Sequence, residues 1–211
     1  MEGLLPLFGI LGAVTIGAMS PGPSFVFVAR TSIALSRADG LAAALGMGVG
    51  GIVFAGLALV GLQAIVAHLT WLYAALKLVG GLYLVYLAIR LWRSAGEPVV
   101  EPKAAAQRGA GLGKSFAYGM ATQLSNPKTA VVYGSIFAAL LPPAPPLWLV
   151  GALPPLILLI EAGWYAIVAL AFSADRPRAA YLRSKRRVDR LAGSVIGVLG
   201  ARLILDAART N

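Results

Sequence analysis

The chain has 211 residues, of which 59% are hydrophobic and only 12% are charged, and it contains no cysteine. Soluble domains carry about 25% charged residues, so this composition excludes an ordinary soluble domain. Without cysteine, the chain can form neither disulfides nor thiolate metal sites. The single histidine, His68, cannot build a metal cluster by itself, so we expect no metal and no cofactor.

The hydrophobic residues are grouped in long blocks, and a helix needs roughly 20 apolar residues to cross a bilayer. A core helix of a soluble protein would be shorter and would carry a polar stripe. We therefore predict an all-α integral membrane protein with six transmembrane helices. The predicted spans are about 4–30, 41–67, 70–91, 116–141, 147–172 and 191–208.

The formal net charge of +10 is concentrated in alternate connecting segments. Lysine and arginine are frequent in loops 92–115 and 173–190, loop 31–40 contains Arg37 with Arg30 at its edge, and the two connections between these loops contain neither residue. By the positive-inside rule, these three loops are cytoplasmic and both termini lie outside, as expected for a multi-pass protein of the bacterial inner membrane. Their basic residues would contact anionic lipid. Because membrane topology accounts for the charge, we expect no nucleic-acid partner.

A polar linker, 94–115, divides the chain into two halves of three spans each, 1–93 and 116–211. Since three is an odd number, the second half enters the membrane from the opposite side, as in transporters built from inverted repeats. The first span of each half is interrupted by proline. The interruptions are Ser20-Pro21-Gly22-Pro23 and Ser125-Asn126-Pro127-Lys128.

Each interruption has a physical consequence for the helix that contains it. Proline lacks an N–H, so a backbone carbonyl one turn earlier loses its partner. In hydrocarbon such a carbonyl is costly unless protein or a water-filled cavity satisfies it. Two breaks therefore predict an internal cavity, into which the N-termini of two half-helices would attract an anionic group such as a carboxylate. A simple proline kink is the alternative.

Three segments together resemble the LysE/RhtB family of bacterial amino-acid exporters: SPGPSFVFVARTSIALSRADGLAAALGMGVGG, LKLVGGLYLVYLAIRLWR and SNPKTAVVYG. The resemblance implies a six-span inner-membrane carrier that exports amino acids and is driven by the proton motive force. The family motifs fall on Pro21-Gly22-Pro23 and on Asn126-Pro127-Lys128. At position 39 the family pattern leads us to expect a basic or small residue, and Asp39 departs from it.

Ionisable residues inside a membrane are rare and are usually functional. Lys128 and Glu161 lie near the centres of their predicted spans, whereas Lys77 lies nearer an end, from which its side chain can reach water. Glu161 is the predicted proton carrier, because an antiporter needs a carboxyl group that binds and releases protons. The alternative is a structural ion pair between Glu161 and Lys128, and the two roles are compatible.

The Lys128 ammonium and the half-helix N-termini suit the carboxylate of an amino acid. Other polar residues flank the breaks and either bind substrate or cap freed backbone groups: Ser20, Ser24, Thr122, Gln123 and Ser125. The predicted substrate-binding residues are Ser20, Pro21, Gly22, Pro23, Ser125, Asn126, Pro127 and Lys128. The expected partners are a small-molecule substrate, an amino acid, and protons.

The favoured function is a secondary transporter that exports an amino acid or a similar metabolite by proton antiport with alternating access. A channel for small solutes is one alternative, and a membrane-embedded enzyme that uses Ser125 and Lys128 is a weaker one. Paired glycines in the second and sixth spans, Gly46 with Gly50 and Gly193 with Gly197, indicate close helix packing. If exposed, these glycine faces would also allow a homodimer.

Overall fold

The computed structural model describes residues 3–68, 70–93, 95 and 111–209. These residues form helices joined by short connections, and no strand occurs among them. The helices are α1 (Leu4–Met19), α2 (Pro23–Ala34), α3 (Arg37–His68), α4 (Thr70–Arg93), α5 (Leu112–Leu124), α6 (Pro127–Leu140), α7 (Leu147–Phe172) and α8 (Asp175–Arg209).

The prediction of an all-α membrane protein is confirmed. Within the described ranges, α3, α4, α7 and α8 each contain a stretch long and apolar enough to cross a membrane. The pair α1 and α2, bent by 56° at its break, makes a fifth candidate span. The predicted span 116–141 corresponds to α5 and α6, which are not among these candidates, so the arrangement of six spans in inverted halves stays a prediction.

The connections between helices are shorter than predicted. Instead of a loop at 31–40, the helix α2 continues to Ala34 and α3 begins at Arg37, because the Ser36 hydroxyl accepts the backbone N–H of Asp39 at 3.0 Å and caps the new helix. Instead of a loop at 173–190, α8 begins at Asp175, since its basic run consists mostly of good helix formers. Most of the predicted linker 94–115 lies outside the described residues, and α5 begins at Leu112.

Helix ends occur at both predicted breaks. The first lies between Met19 and Pro23, and the second lies between Leu124 and Pro127. In each case a proline occupies the first turn of the following helix, where its missing N–H costs nothing because that position has no intrahelical acceptor. The prolines therefore begin α2 and α6 as well as ending the preceding helices.

Glycines bring two pairs of helices into close contact. A side-chain carbon at Gly46 of α3 would clash with the backbone carbonyl of Phe116 in α5, and one at Gly193 of α8 would lie 2.5 Å from the Trp92 ring of α4. Gly50 and Gly197 face the same partner helices, as small residues do where membrane helices pack. The glycine faces that we expected to allow a homodimer are thus buried within one chain.

Two clusters of buried apolar side chains stabilise the bundle. The larger cluster joins α1, α3, α4, α6, α7 and α8, and the smaller one joins α2, α3 and α7. Outside them, large apolar side chains such as Leu5, Val60 and Leu147 are exposed, as expected for a surface in contact with lipid. The polar residues of the two breaks lie where the clusters meet.

Candidate functional site

The two helix breaks meet in the interior of the bundle. Ser24, at the start of α2, donates its hydroxyl hydrogen to Oε1 of Gln123, near the end of α5, at 2.6 Å. The Asn126 side chain, which caps α6, donates from Nδ2 to the same Ser24 hydroxyl at 2.9 Å. All three side chains are buried, so these bonds connect segments about 100 residues apart without help from solvent.

Lys128 connects the second break to the first. Its ammonium donates to the carbonyl of Ser20 at 2.8 Å and to the carbonyl of Gly17 at 3.4 Å. Gly17 lies four residues before Pro21, so its carbonyl is one that proline deprives of a helical partner. Because an ammonium has three N–H donors, one donor remains for a ligand.

Glu161, in the middle of α7, is 2% exposed and lies beside this junction. One carboxylate oxygen accepts from Nε2 of Gln123 at 3.1 Å, and the other accepts from the hydroxyl of Tyr133 at 2.9 Å. The neighbouring helix α3 presents Gly51 here, and a side-chain carbon at that position would lie 3.1 Å from both Glu161 and the Tyr133 hydroxyl. The carboxylate thus accepts hydrogen bonds from two donors. A residue larger than glycine at position 51 would crowd it.

The structure answers the question of a Lys128–Glu161 ion pair. Within the described residues the two groups form no direct salt bridge, because the ammonium is bonded to backbone carbonyls and the carboxylate to Gln123 and Tyr133. They line the same cavity, and each charge acts on the other across it. A ligand that binds between them would therefore have no salt bridge to break.

The cavity between these groups encloses about 340 Å³ including its open side, but it is narrow. The part that water-sized spheres can enter holds only about one or two water molecules, which is too little for an amino acid. The Ser20 hydroxyl lies on its wall, is 2% exposed, and has no hydrogen-bond partner in the described part of the chain. A buried hydroxyl without a partner is unusual, and because this one lies on the cavity wall, water or a ligand in the cavity can satisfy it.

Some predicted site residues line the cavity and others do not. Ser125 is exposed to the surroundings of the bundle, and the Lys128 ammonium is bonded to carbonyls of α1 and the first break, so no Ser125–Lys128 pair is formed. Those that line the cavity are Ser20, Gly22, Asn126, Lys128 and Glu161. Those that do not are Pro21, Pro23, Ser125 and Pro127, and the three prolines shape the backbone next to it.

Three further residues belong to this site. The sequence marked Gln123 only as a residue flanking a break, and it gave no role to Tyr133 or Tyr165, which line the cavity. A signal was available, because tyrosine in a membrane protein prefers the interface and both tyrosines lie deep inside apolar segments. A buried tyrosine hydroxyl needs a partner, and Tyr133 finds it in Glu161.

Two other carboxylates have structural partners. Asp39, at the start of α3, accepts hydrogen bonds from the hydroxyls of Ser36 at 2.6 Å and Ser115 at 2.8 Å, which ties α3 to α5. Asp189 is buried on α8 and lies 2.6 Å from the ammonium of Lys185. The sequence had placed Asp189 in a cytoplasmic loop, and the continuous helix α8 brings it into the protein.

Comparison with known proteins identifies the family of the chain. The family model described as LysE type translocator matches residues 15–207. No solved structure matches the chain significantly.

Several relatives carry functional names. The chain is 35% identical to the threonine efflux protein of Salmonella typhi over 211 residues, which covers 96% of this chain and 100% of that protein. It is 33% identical to the threonine efflux protein of Escherichia coli K12, again over 96% and 100%. It is 28% identical to the homoserine/homoserine lactone efflux protein of Salmonella typhimurium, over 66% of each chain. With a family match across nearly its whole length, the chain belongs to the LysE-type translocators and is a transporter rather than an enzyme.

Proposed function

We propose that this protein exports a small hydroxylated amino acid, such as threonine or homoserine, across the bacterial inner membrane in exchange for protons. The observation that carries the proposal is the junction of the two broken helices, where an ammonium with a free donor, an unpartnered hydroxyl and a buried carboxylate line one cavity. Relatives named for threonine efflux and for homoserine efflux support this class of substrate.

The substrate carboxylate would bind beside Lys128. Its third N–H is available, and the N-termini of α2 and α6 add the positive ends of two helix dipoles. The unpartnered hydroxyl of Ser20 would bind the hydroxyl group of the substrate. Gly22 contributes space, because a side-chain carbon there would lie 3.4 Å from the Lys128 ammonium.

Glu161 would carry the exchanged proton. It is the carboxylate that lines the cavity within the described residues, and its two donors stabilise the ionised form until a proton arrives. Binding of a proton would weaken the attraction between Glu161 and the substrate ammonium. Alternate binding of the proton and of the substrate ammonium at Glu161 would couple their movements, as antiport requires.

Alternating access would follow from the breaks. The cavity is too narrow for an amino acid, so transport requires the helices around it to separate on one side and then on the other. The connections 20–22 and 125–126 lie between the helices and are the natural hinges. Two features support an inverted repeat of 1–93 and 116–211: a proline begins both α2 and α6, and corresponding helices pack together, α3 with α7 and α4 with α8.

The test is transport by the purified full-length protein in proteoliposomes. We expect threonine counterflow at equal pH and accumulation of threonine against its gradient when a pH gradient is imposed. In Glu161→Gln, the initial rate of pH-driven threonine accumulation should fall about tenfold or more, equivalent to a barrier increase of about 1.4 kcal/mol, while counterflow continues. If threonine is not moved, a counterflow screen of a broader panel of amino acids identifies the substrate.

Asp206→Asn is the matched control, because this carboxylate lies on α8, 3.8 Å from Arg202, and does not line the cavity. It should leave both activities at the wild-type level. If neither threonine nor homoserine is moved, the proposed substrate class is wrong. If Glu161→Gln retains full pH-driven accumulation, the assignment of the proton carrier is wrong.

A further inference from the structure

Gln123 connects the carboxylate of Glu161 to the first helix break. It is 1% exposed, its Oε1 accepts from Ser24, and its Nε2 donates to Glu161. Within the described residues, no other side chain is hydrogen-bonded both to Glu161 and to a residue of the first break. Tyr133, the second donor to Glu161, forms no bond to Ser24.

The hydrogen bonds from Ser24 to Gln123 and from Gln123 to Glu161 form a series. The charge of Glu161 sets the direction of each bond in this series. An ionised carboxylate can only accept hydrogen bonds, so Gln123 must present its Nε2 to Glu161. Its Oε1 then faces Ser24, which must donate its only hydroxyl hydrogen to it. The Ser24 oxygen is left to accept from Asn126, as observed.

Protonation of Glu161 reverses this series. The protonated oxygen becomes a donor, and the Gln123 amide satisfies it by turning over, so that Oε1 accepts from Glu161 and Nε2 donates to Ser24. The Ser24 oxygen then accepts from both Gln123 and Asn126. Its own hydrogen is released and can point into the cavity, which Ser24 lines.

We propose that Gln123 is a positioning residue that transmits the protonation of Glu161 to Ser24 and thereby changes the affinity of the substrate site. This inference rests on the proposed function and adds the route by which proton and substrate are coupled. No covalent bond other than that to the transferred proton is made or broken. Glu161 gains the proton from the cavity, and the three side chains only exchange donor and acceptor roles.

Other titratable groups near Glu161 do not offer this route. Tyr133 and Lys128 face it from α6, and Tyr165 lies one turn along α7. Among the described residues that line the cavity, α1, α2 and α3 contribute no titratable side chain. The charges of Asp189 on α8 and Arg90 on α4 act on Lys128. Tyr165 does interact with Ser24, but among the described residues it makes no hydrogen bond to Glu161, and neither Tyr133 nor Lys128 is bonded to Ser24.

The packing around Gln123 provides a second way to disturb the amide. Gly50 of α3 faces it, and a side-chain carbon at that position would lie 2.8 Å from both Cβ and Cγ of Gln123. Gly50→Ala therefore displaces the amide without removing it. Gly56 of the same helix has open space around it, so Gly56→Ala is the matched control.

The experiment measures threonine affinity against pH by calorimetry on the full-length protein in detergent micelles, together with counterflow in proteoliposomes. The central variant is Gln123→Met, which keeps the length of the side chain and removes the amide. We expect the wild-type affinity to change by about fivefold or more across the titration of Glu161, and that of Gln123→Met to change by a smaller factor of about twofold, which reports the direct attraction between Glu161 and the substrate ammonium. Gly50→Ala should resemble Gln123→Met, and Gly56→Ala should resemble the wild type.

The opposite results overturn the inference. If the threonine affinity of Gln123→Met depends on pH as strongly as that of the wild type, the inference is wrong. If Gln123→Met does not fold, the same result in Gly50→Ala has the same meaning. A wild-type protein that exports threonine with an affinity independent of pH also overturns the inference, and it leaves the exporter function intact. A wild-type protein that neither binds nor moves any amino acid overturns both the inference and the proposed function.

Discussion

Lys128 and Asn126 satisfy backbone groups that the helix breaks leave without a helical partner. The Lys128 ammonium satisfies the carbonyl of Gly17, whose helical donor is lost at Pro21, and the Asn126 side chain accepts the backbone N–H of Lys128 at 3.0 Å. In hydrocarbon each unsatisfied backbone group would cost several kcal/mol. The residues that make the breaks tolerable are therefore the same residues that line the cavity.

Lys128→Met tests this double role. We expect a loss of stability of about 1–3 kcal/mol for the carbonyl groups left without a donor, and a loss of threonine counterflow because the substrate carboxylate has no cation. Thermal unfolding in detergent and counterflow in proteoliposomes measure the two effects. Lys114→Met, at an exposed position of α5, is the control and should change neither. Wild-type counterflow in Lys128→Met would exclude Lys128 from substrate binding.

At the scale of helices, glycine decides which elements approach one another. Helix α5 packs closely against α3 at Gly46 and Gly50, which have no side chain to hold it away. Gly119 of α5 lets the backbone of α3 approach in the same way. This close approach brings Gln123 within reach of Glu161 on α7. The bond from Ser115 of α5 to Asp39 stabilises the same pair of helices at its other end.

Gly46→Ala should weaken the contact between α3 and α5. The added methyl group would meet the backbone carbonyl of Phe116, which cannot move aside as a flexible side chain can. We expect a destabilisation of about 1–3 kcal/mol, as for overpacked sites elsewhere, measured as a lower unfolding temperature in detergent. Gly56→Ala, which has open space on the same helix, should leave the unfolding temperature unchanged. Equal stability of the two variants would contradict the packing described here.

At the scale of the whole molecule, the predicted topology can be tested directly because the natural chain has no cysteine. Gly111→Cys, just before α5, should be cytoplasmic, and Ala144→Cys, between α6 and α7, should lie outside, since basic loops remain inside. Both positions are exposed. In spheroplasts, a membrane-impermeant maleimide should label Ala144→Cys at once and Gly111→Cys only after permeabilisation. The reverse pattern would invert the topology.

Much of the fold could be predicted from the sequence, because its determinants are local. Long apolar blocks indicate a membrane protein, and prolines predict both helix breaks, which appear at Pro21–Pro23 and at Pro127, although Pro154 and Pro155 lie inside α7 without ending it. Helix ends without proline were predicted less well. The basic residues between 173 and 190 indicated a loop by their charge, but they continue α8, because charge alone does not end a helix.

By itself the sequence determined that the chain lies in a membrane, where its helices break, and that Lys128 and Glu161 are charges within apolar segments. Only the tertiary structure decided what these groups contact. Ser24 and Gln123 are 99 residues apart, and their bond depends on how α3 packs against α5 and α7. Local chemistry decides where a helix ends, whereas contacts between distant side chains depend on the packing of whole helix faces.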